Sequence, residues 1–286
     1  MKFKKDTELI TTKENKIYHL NIDETQIADN IILVGDPSRV IEVSKHFNII
    51  THKIHHREFI THTGTYNNKN VSVISTGIGC DNIDIVINEL DAVVSFNLKK
   101  KTKKKKKRTL NLIRIGTSGS IQEDVKIDSF LLSKYAIGLD GLAHFYKKKD
   151  HIDLDATQSF KDHMNLSSSF AEPYIVKASN NLINKFKRFK QGMTITASGF
   201  YAPQGREIRL DSSIKNMHEV MREFKYKGER ITNFEMESSA LYFLGRSLGH
   251  NTITICAIMG NRVNQTQSEN YNDTMNSLIN TVLENL

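Results

Sequence analysis

Cysteine is nearly absent: two residues in 286, Cys80 and Cys256, with neither a pairing pattern nor metal-ligand spacing. That excludes a disulfide-stapled scaffold and a thiolate metal centre, and it fits a reducing, cytoplasmic setting. No apolar run is long enough to span a bilayer, so no membrane role is expected. The N-terminal Met1-Lys2-Phe3-Lys4-Lys5-Asp6 has no apolar core and no small-residue cleavage signature, so it is not expected to act as a secretory leader; residues 1–15 read as a mobile tail. Internal repeats are absent. Acids are missing from residues 99–108, where eight lysines and Arg108 carry nine positive charges; setting them aside takes the formal charge of the remainder from +8 to −1. The basic character is therefore local rather than a basic face. No aromatic residue interleaves the run to stack on bases, so the run reads as a solvated loop insertion and no nucleic-acid partner is expected.

The rest is ordinary globular composition, 38% hydrophobic and 25% charged, long enough for a large core. One domain over 1–286 is expected. Ile31–Val34 reads as a buried strand, and Pro37 opens a helix from Ser38 to Phe47. Glu58–Tyr66 and Val71–Thr76 read as strands joined at Asn67-Asn68, followed by a helix over Asn82–Val94 with Asp81 as N-cap. Strands are expected at Leu110–Ile115, Ser129–Ala136, Gly192–Ala197 and Thr252–Met259. Helices are expected at Phe234–Leu248, ended by Gly249, and at Asn270–Leu286. Residues 147–190 show no usable pattern. Strands alternating with helices imply an α/β fold with a mixed, mostly parallel sheet, in which ligands gather beyond the carboxyl ends of strands. Gly35, Gly77, Arg114, Ala197 and Gly260 fall at such ends.

The most informative stretch is Leu112-Ile113-Arg114-Ile115-Gly116-Thr117-Ser118-Gly119-Ser120. An apolar run leads to an arginine and then to what reads as a turn of glycines and hydroxyls, a place to hold a small anion. The plain alternative is a strand-to-loop junction with a surface arginine. Gly35-Asp36-Pro37-Ser38-Arg39 puts a glycine turn and an arginine at a helix start, where backbone N–H groups favour an anion. Asn233-Phe234-Glu235-Met236-Glu237-Ser238 puts two carboxylates at the head of an apolar helix; two apart, they point in different directions, and one suits the grip of vicinal ribose hydroxyls. Gly199-Phe200-Tyr201-Ala202-Pro203-Gln204-Gly205-Arg206 offers an amide, a cation and a ring. A side-by-side donor and acceptor plus a further donor suits a uracil edge, and Phe200 could stack on the base.

In this order, over Tyr18–Asn264, the motifs resemble the nucleoside phosphorylase family, pyrimidine branch. The resemblance implies a central mixed, partly barrel-like β-sheet flanked by helices. It implies reversible phosphorolysis of uridine to uracil and ribose 1-phosphate in pyrimidine salvage. Phosphate would be held by Gly35, Arg39, Arg114 and Thr117, with Arg57 supplied by a neighbouring subunit. Ribose would be held by Met236 and Glu237, with His19 reaching across the interface. Glu235 would stand behind them. Phe200, Gln204, Arg206 and Arg262 would read the base, Arg262 through Arg206 or a water. Arg114, Glu237, Gln204 and Arg206 are the residues expected to matter most for the chemistry. No organic cofactor and no catalytic metal are implied. Inorganic phosphate is a co-substrate, and a monovalent cation near Glu58 is a weaker expectation. Sharing His19 and Arg57 implies a homo-oligomer, a dimer or a hexamer.

The purine branch carries an aspartate after the late strand; here Ile258-Met259-Gly260-Asn261 has no carboxylate. Uracil leaves with charge on its oxygens, which neutral and cationic donors can stabilise. The alternatives are a purine nucleoside phosphorylase or nucleosidase of the same fold and a non-catalytic nucleoside-binding protein.

Overall fold

The structure is a computed structural model, and it describes residues 7–286. In chain order the elements are β1 (Asn30–Val34), α1 (Pro37–Ser44), β2 (Ile49–His56), β3 (Phe59–Tyr66), β4 (Lys69–Ser75), α2 (Cys80–Ser95), β5 (Phe96–Asn97) and β6 (Thr102–Lys103). Then come β7 (Asn111–Ser120), β8 (Phe130–Gly138), α3 (Leu154–Met164), β9 (Tyr174–Lys177), α4 (Asn180–Lys185) and β10 (Lys190–Thr196). The chain closes with α5 (Met217–Glu223), β11 (Lys225–Tyr226), β12 (Glu229–Glu235), α6 (Ser238–Ser247), β13 (Asn251–Asn261), β14 (Thr266–Gln267) and α7 (Tyr271–Glu284).

One mixed sheet runs β11-β12-β10-β8-β13-β7-β1-β4-β3-β2. A further pairing of β12 with β7, Asn233 opposite Ser120 and Phe234 opposite Gly119, closes β7, β12, β10, β8 and β13 into a ring. The expected partly barrel-like α/β sheet is therefore present, with β1–β4 splayed from its side. β1, β7 and β13 are apolar and β-branched on both faces because helices cover both, the usual pattern of a parallel, doubly buried sheet. The largest core joins these strands to α1, α2, α6 and α7; a second, around Phe160, Phe224 and Phe234, fills the space under α3 and α5.

Several local expectations need correction. β7 does not end at Ile115; it continues to Ser120, so the glycine-hydroxyl stretch is strand and not turn. Neither Gly116 nor Gly119 has a positive φ, and β13 pairs with the segment as far as Ser120. Ladder partners outweigh the weak β preference of glycine and serine here. The helix expected from Phe234 begins at Ser238, because Phe234 and Glu235 finish β12. Asp81 lies inside α2, whose N-cap is Gly79. The strand β2 went unexpected because its inward face alternates Ile50 and Ile54 with His52 and His56, and its outward residues are exposed. Residues 147–190 hold α3, β9 and α4.

The basic run is not a free loop. β5 and β6 form a hairpin, the Lys104 ammonium pairs with Glu24, and Arg108 donates to Asp29 Oδ1 at 2.7 Å and to the carbonyls of Glu24 and Ile27 at 2.9 Å. Of the expected N-terminal tail, residues 1–6 lie outside the described residues. Leu9 is buried in the main core, and Thr11 bridges Ile17.

Candidate active site

A cavity of about 1100 Å³ opens beyond the carboxyl ends of β1, β4, β7, β10 and β12. Its wall includes Gly35, Arg39, Arg114, Thr117, Glu237 and, at the other end, Phe200, Gln204, Arg206 and Arg262, with Glu235, Met236 and Glu58 also lining it. These residues, from six separate parts of the sequence, thus meet where an open α/β sheet places its ligands.

Arg114 lies at one end of the cavity. It sits in β7 with Leu33 of β1 on one side and Thr254 of β13 on the other, and it is 5% exposed. Its side chain folds back along its own strand over Gly116: a Cβ on that glycine would lie 2.3 Å from Nη1. Gly116 therefore provides room for a guanidinium rather than a turn. One edge of that guanidinium pairs with Glu237. Nε and Nη1 are buried without a hydrogen-bond partner, and such a pair is costly unless an anion completes it. Burial opposes the charge, but the carboxylates of Glu237 and Glu235 more than offset this, so Arg114 stays protonated.

Arg39, in the first turn of α1, is 8% exposed, and its guanidinium donates to Tyr271 Oη and to the Ile115 carbonyl. The N-terminus of α1 is capped by Asp36, which accepts from Ser38 N at 2.8 Å. The β1 and β4 exits lie side by side, with Gly77 N donating to Gly35 O at 3.0 Å.

The two carboxylates divide their work. Glu235 accepts from Thr196 Oγ1 at 2.6 Å and from the backbone N–H groups of Glu237 and Ser238, so it fastens the start of α6 to β10. Burial and the neighbouring Glu237 raise its pKa. Glu237 holds Gly79 N at 2.8 Å and Arg114, and it faces the cavity. Glu235, expected to stand behind Glu237, spends its hydrogen bonds on Thr196 and the start of α6, although it too lines the cavity.

At the other end, Gln204 is 3% exposed and its amide is oriented by donors: Arg206 Nη1 reaches Oε1 at 2.8 Å and Arg262 Nη2 at 3.4 Å. Arg206 also donates to the Phe200 carbonyl at 2.6 Å, and its guanidinium lies 3.7 Å from the centre of the Phe200 ring. Arg262 donates to the backbone carbonyl of Gln204. Burial and Arg206 lower the pKa of Arg262 to about 10. Asn261, at the end of β13, is 2% exposed and fully used: Nδ2 donates to the carbonyls of Gln122 and Val125 at 2.8 Å, and Oδ1 accepts from Val263 and Asn264.

His19 and Arg57 do not line the cavity of their own chain. They form a separate patch in which His19 Nδ1 lies 2.7 Å from Glu89 Oε1 and the Arg57 guanidinium lies 5.6 Å from the Tyr18 ring centre. Sequence reasoning missed Tyr271 and His218, each a single polar residue in a segment with no motif.

A ring of strands, a buried arginine with two open donors and a carboxylate facing a cavity large enough for a nucleoside and an anion together define a class: enzymes that cleave a glycosidic bond with an anion as acceptor. The family model described as Phosphorylase superfamily matches residues 29–284, and the chain belongs to that superfamily. It is a nucleoside phosphorylase, a pentosyltransferase. It is 30% identical over 258 residues to the uridine phosphorylase of Thermococcus kodakarensis, covering 88% of this chain and 80% of that one. It is 28% identical over 273 residues to a DeoD-type purine nucleoside phosphorylase of Clostridium perfringens, covering 93% and 97%. Its fold superposes on a Trypanosoma brucei nucleoside phosphorylase described as showing uridine phosphorylase activity, with TM-score 0.88, 28% identity and coverage of 97% and 99%.

Proposed function

We propose that this enzyme carries out the reversible phosphorolysis of uridine. The observation that carries the reading is the fixed orientation of the Gln204 amide. With Oε1 held by Arg206 at 2.8 Å and only distantly by Arg262 at 3.4 Å, Oε1 keeps a lone pair as an acceptor, Nε2 supplies a donor and Arg206 a second donor. That order complements the acceptor, donor and acceptor of a uracil edge, O2, N3–H and O4. Cytosine presents acceptor, acceptor and donor, and would leave two mismatches. The engaged Asn261 supports the same branch, since no carboxylate stands there to protonate a purine.

In this reading phosphate occupies the open side of Arg114 with Arg39, Thr117 and the Gly35 backbone. One phosphate oxygen attacks C1′ as the C1′–N1 bond breaks, the bonding pair leaving with uracil and spreading onto O2 and O4. Gln204 and Arg206 hold that charge, Glu237 and Met236 hold the ribose, and no covalent enzyme intermediate is needed. His19 and Arg57 act across a subunit interface in a homo-oligomer. The test is uracil release from uridine with and without phosphate. Strict dependence on phosphate supports the reading, whereas equal release without it would make the enzyme a nucleosidase.

A further inference from the structure

His218 belongs to no sequence motif, yet it sits behind the base-reading residues. α5 carries its ring against Phe234 of β12, with ring centres 5.4 Å apart and planes at 79°. Its Nε2 lies 2.8 Å from the backbone carbonyl of Gln204 and 2.7 Å from Arg262 Nη1. The ring also packs on Gly205, whose φ is +66°; a Cβ there would come within 2.9 Å of the ring. The turn that presents Gln204 is therefore built around this imidazole. Gln204 reaches the cavity with its amide and rests on His218 with its carbonyl, so the two ends of one residue link the base to the histidine.

We propose that His218 is a positioning residue for base recognition, which in its neutral form accepts from Arg262 beside the Gln204 carbonyl and on protonation releases Arg262. The inference rests on the uridine reading above. The charged groups that face the imidazole are Arg262 beyond β13, Arg206 from the loop after β10 and Glu219 on its own helix; Gln204 contributes a carbonyl and Phe234 only a ring face. An imidazolium would bring a third positive charge to a site that already holds two guanidinium groups. Glu219 and the carbonyl favour it, but burial and then Arg262 outweigh them, so the pKa of His218 lies below the ordinary histidine value. The neutral form therefore prevails at neutral pH. As the pH falls through that lowered pKa, Arg262 is pushed from the Gln204 carbonyl and the amide is left with Arg206 as its one orienting donor.

The experiment is calorimetric binding of uridine to the intact enzyme without phosphate between pH 5 and 8, a range in which uridine itself does not titrate. The wild type is compared with His218→Gln, whose amide can accept from Arg262 but does not titrate, and with His218→Phe, which keeps the ring alone. At neutral pH the Gln variant is expected to bind as the wild type does. The Phe variant is expected to bind about tenfold more weakly, the loss of one hydrogen bond to a partly buried group, while its KM for phosphate is unchanged. The wild type is expected to weaken toward pH 5, and the Gln variant not to. Undiminished affinity in the Phe variant, or the same acid weakening in the Gln variant, would overturn the role of His218. If the Phe variant does not fold, the pH comparison of wild type and Gln variant decides alone. Failure of the wild type to bind uridine at any pH would instead remove the uridine reading.

Discussion

Replacing Gly116 by alanine tests the anion site through the smallest possible change. The added Cβ would lie 2.3 Å from Arg114 Nη1 and 3.1 Å from Cys256 Sγ. Ordinary contact between carbon and a heavy atom is about 3.5 Å, so the guanidinium must withdraw by roughly 1 Å. It cannot withdraw freely, because its other edge is paired with Glu237, and the Cys256 thiol of the neighbouring strand β13 stands opposite Gly116. A misplacement of that size at a reacting centre costs about 10²-fold. Overpacking of a buried site costs about 1–3 kcal/mol of stability. The expected result is a fall of about 10²-fold in kcat/KM for phosphate, with a smaller change in uridine binding and a modestly lowered thermal midpoint. The assay is steady-state uracil release at varied phosphate, with calorimetric uridine binding as the companion. Unchanged phosphate kinetics in a folded G116A enzyme would refute the argument that Gly116 exists to seat Arg114 against phosphate.

Three further outcomes are expected. Arg206→Ala should lower kcat by roughly 10²–10³, as loss of a donor to a developing anion does, with little effect on unfolding; near-normal turnover would remove Arg206 from the base site. Asn261→Asp should not confer inosine cleavage, and it should destabilise the protein by roughly 2–5 kcal/mol, because two buried carbonyls lose their donors; a stable variant that cleaves inosine would contradict this. Asp124 is paired with Arg230 at 2.6 Å and Lys190 at 2.7 Å, and these hydrogen bonds lower its pKa from 3.8 to about 2. A depressed carboxylate pKa contributes stability above the unfolded value and loses it as pH falls through the folded one. The stability gap between wild type and Asp124→Asn should therefore be present above about pH 4 and close toward pH 2, and it should be small because the pair is exposed; a gap that widens with acid would contradict the pairing.

The motifs that were legible in the sequence are those in which chemistry and local structure coincide. Arg39 stands in a helix's first turn, Glu237 before an apolar helix and Gln204 and Arg206 in a loop after a strand, and all three places line one cavity. The Arg114 segment was legible for its chemistry but not for its shape. Glycine has two uses, permitting a positive φ and leaving space, and only the fold shows that Gly116 serves the second. β2 was illegible because histidines interrupt its inward face, on which Ile50 and Ile54 pack, and β12 because Phe234 and Glu235 read equally well as the first turn of α6. His218 was illegible in principle: its importance comes from the position of Gln204's carbonyl, which no spacing along the chain reveals.

The central claim is tested most directly by phosphate-dependent base release measured side by side on uridine, thymidine, cytidine, inosine and adenosine. The donor, acceptor and donor of Gln204 and Arg206 predict uridine above cytidine, inosine and adenosine by kcat/KM, with cytidine strongly disfavoured, and the 2′-hydroxyl held by Glu237 predicts uridine above thymidine; no release is expected when phosphate is omitted. Inosine or adenosine as the best substrate would contradict the account.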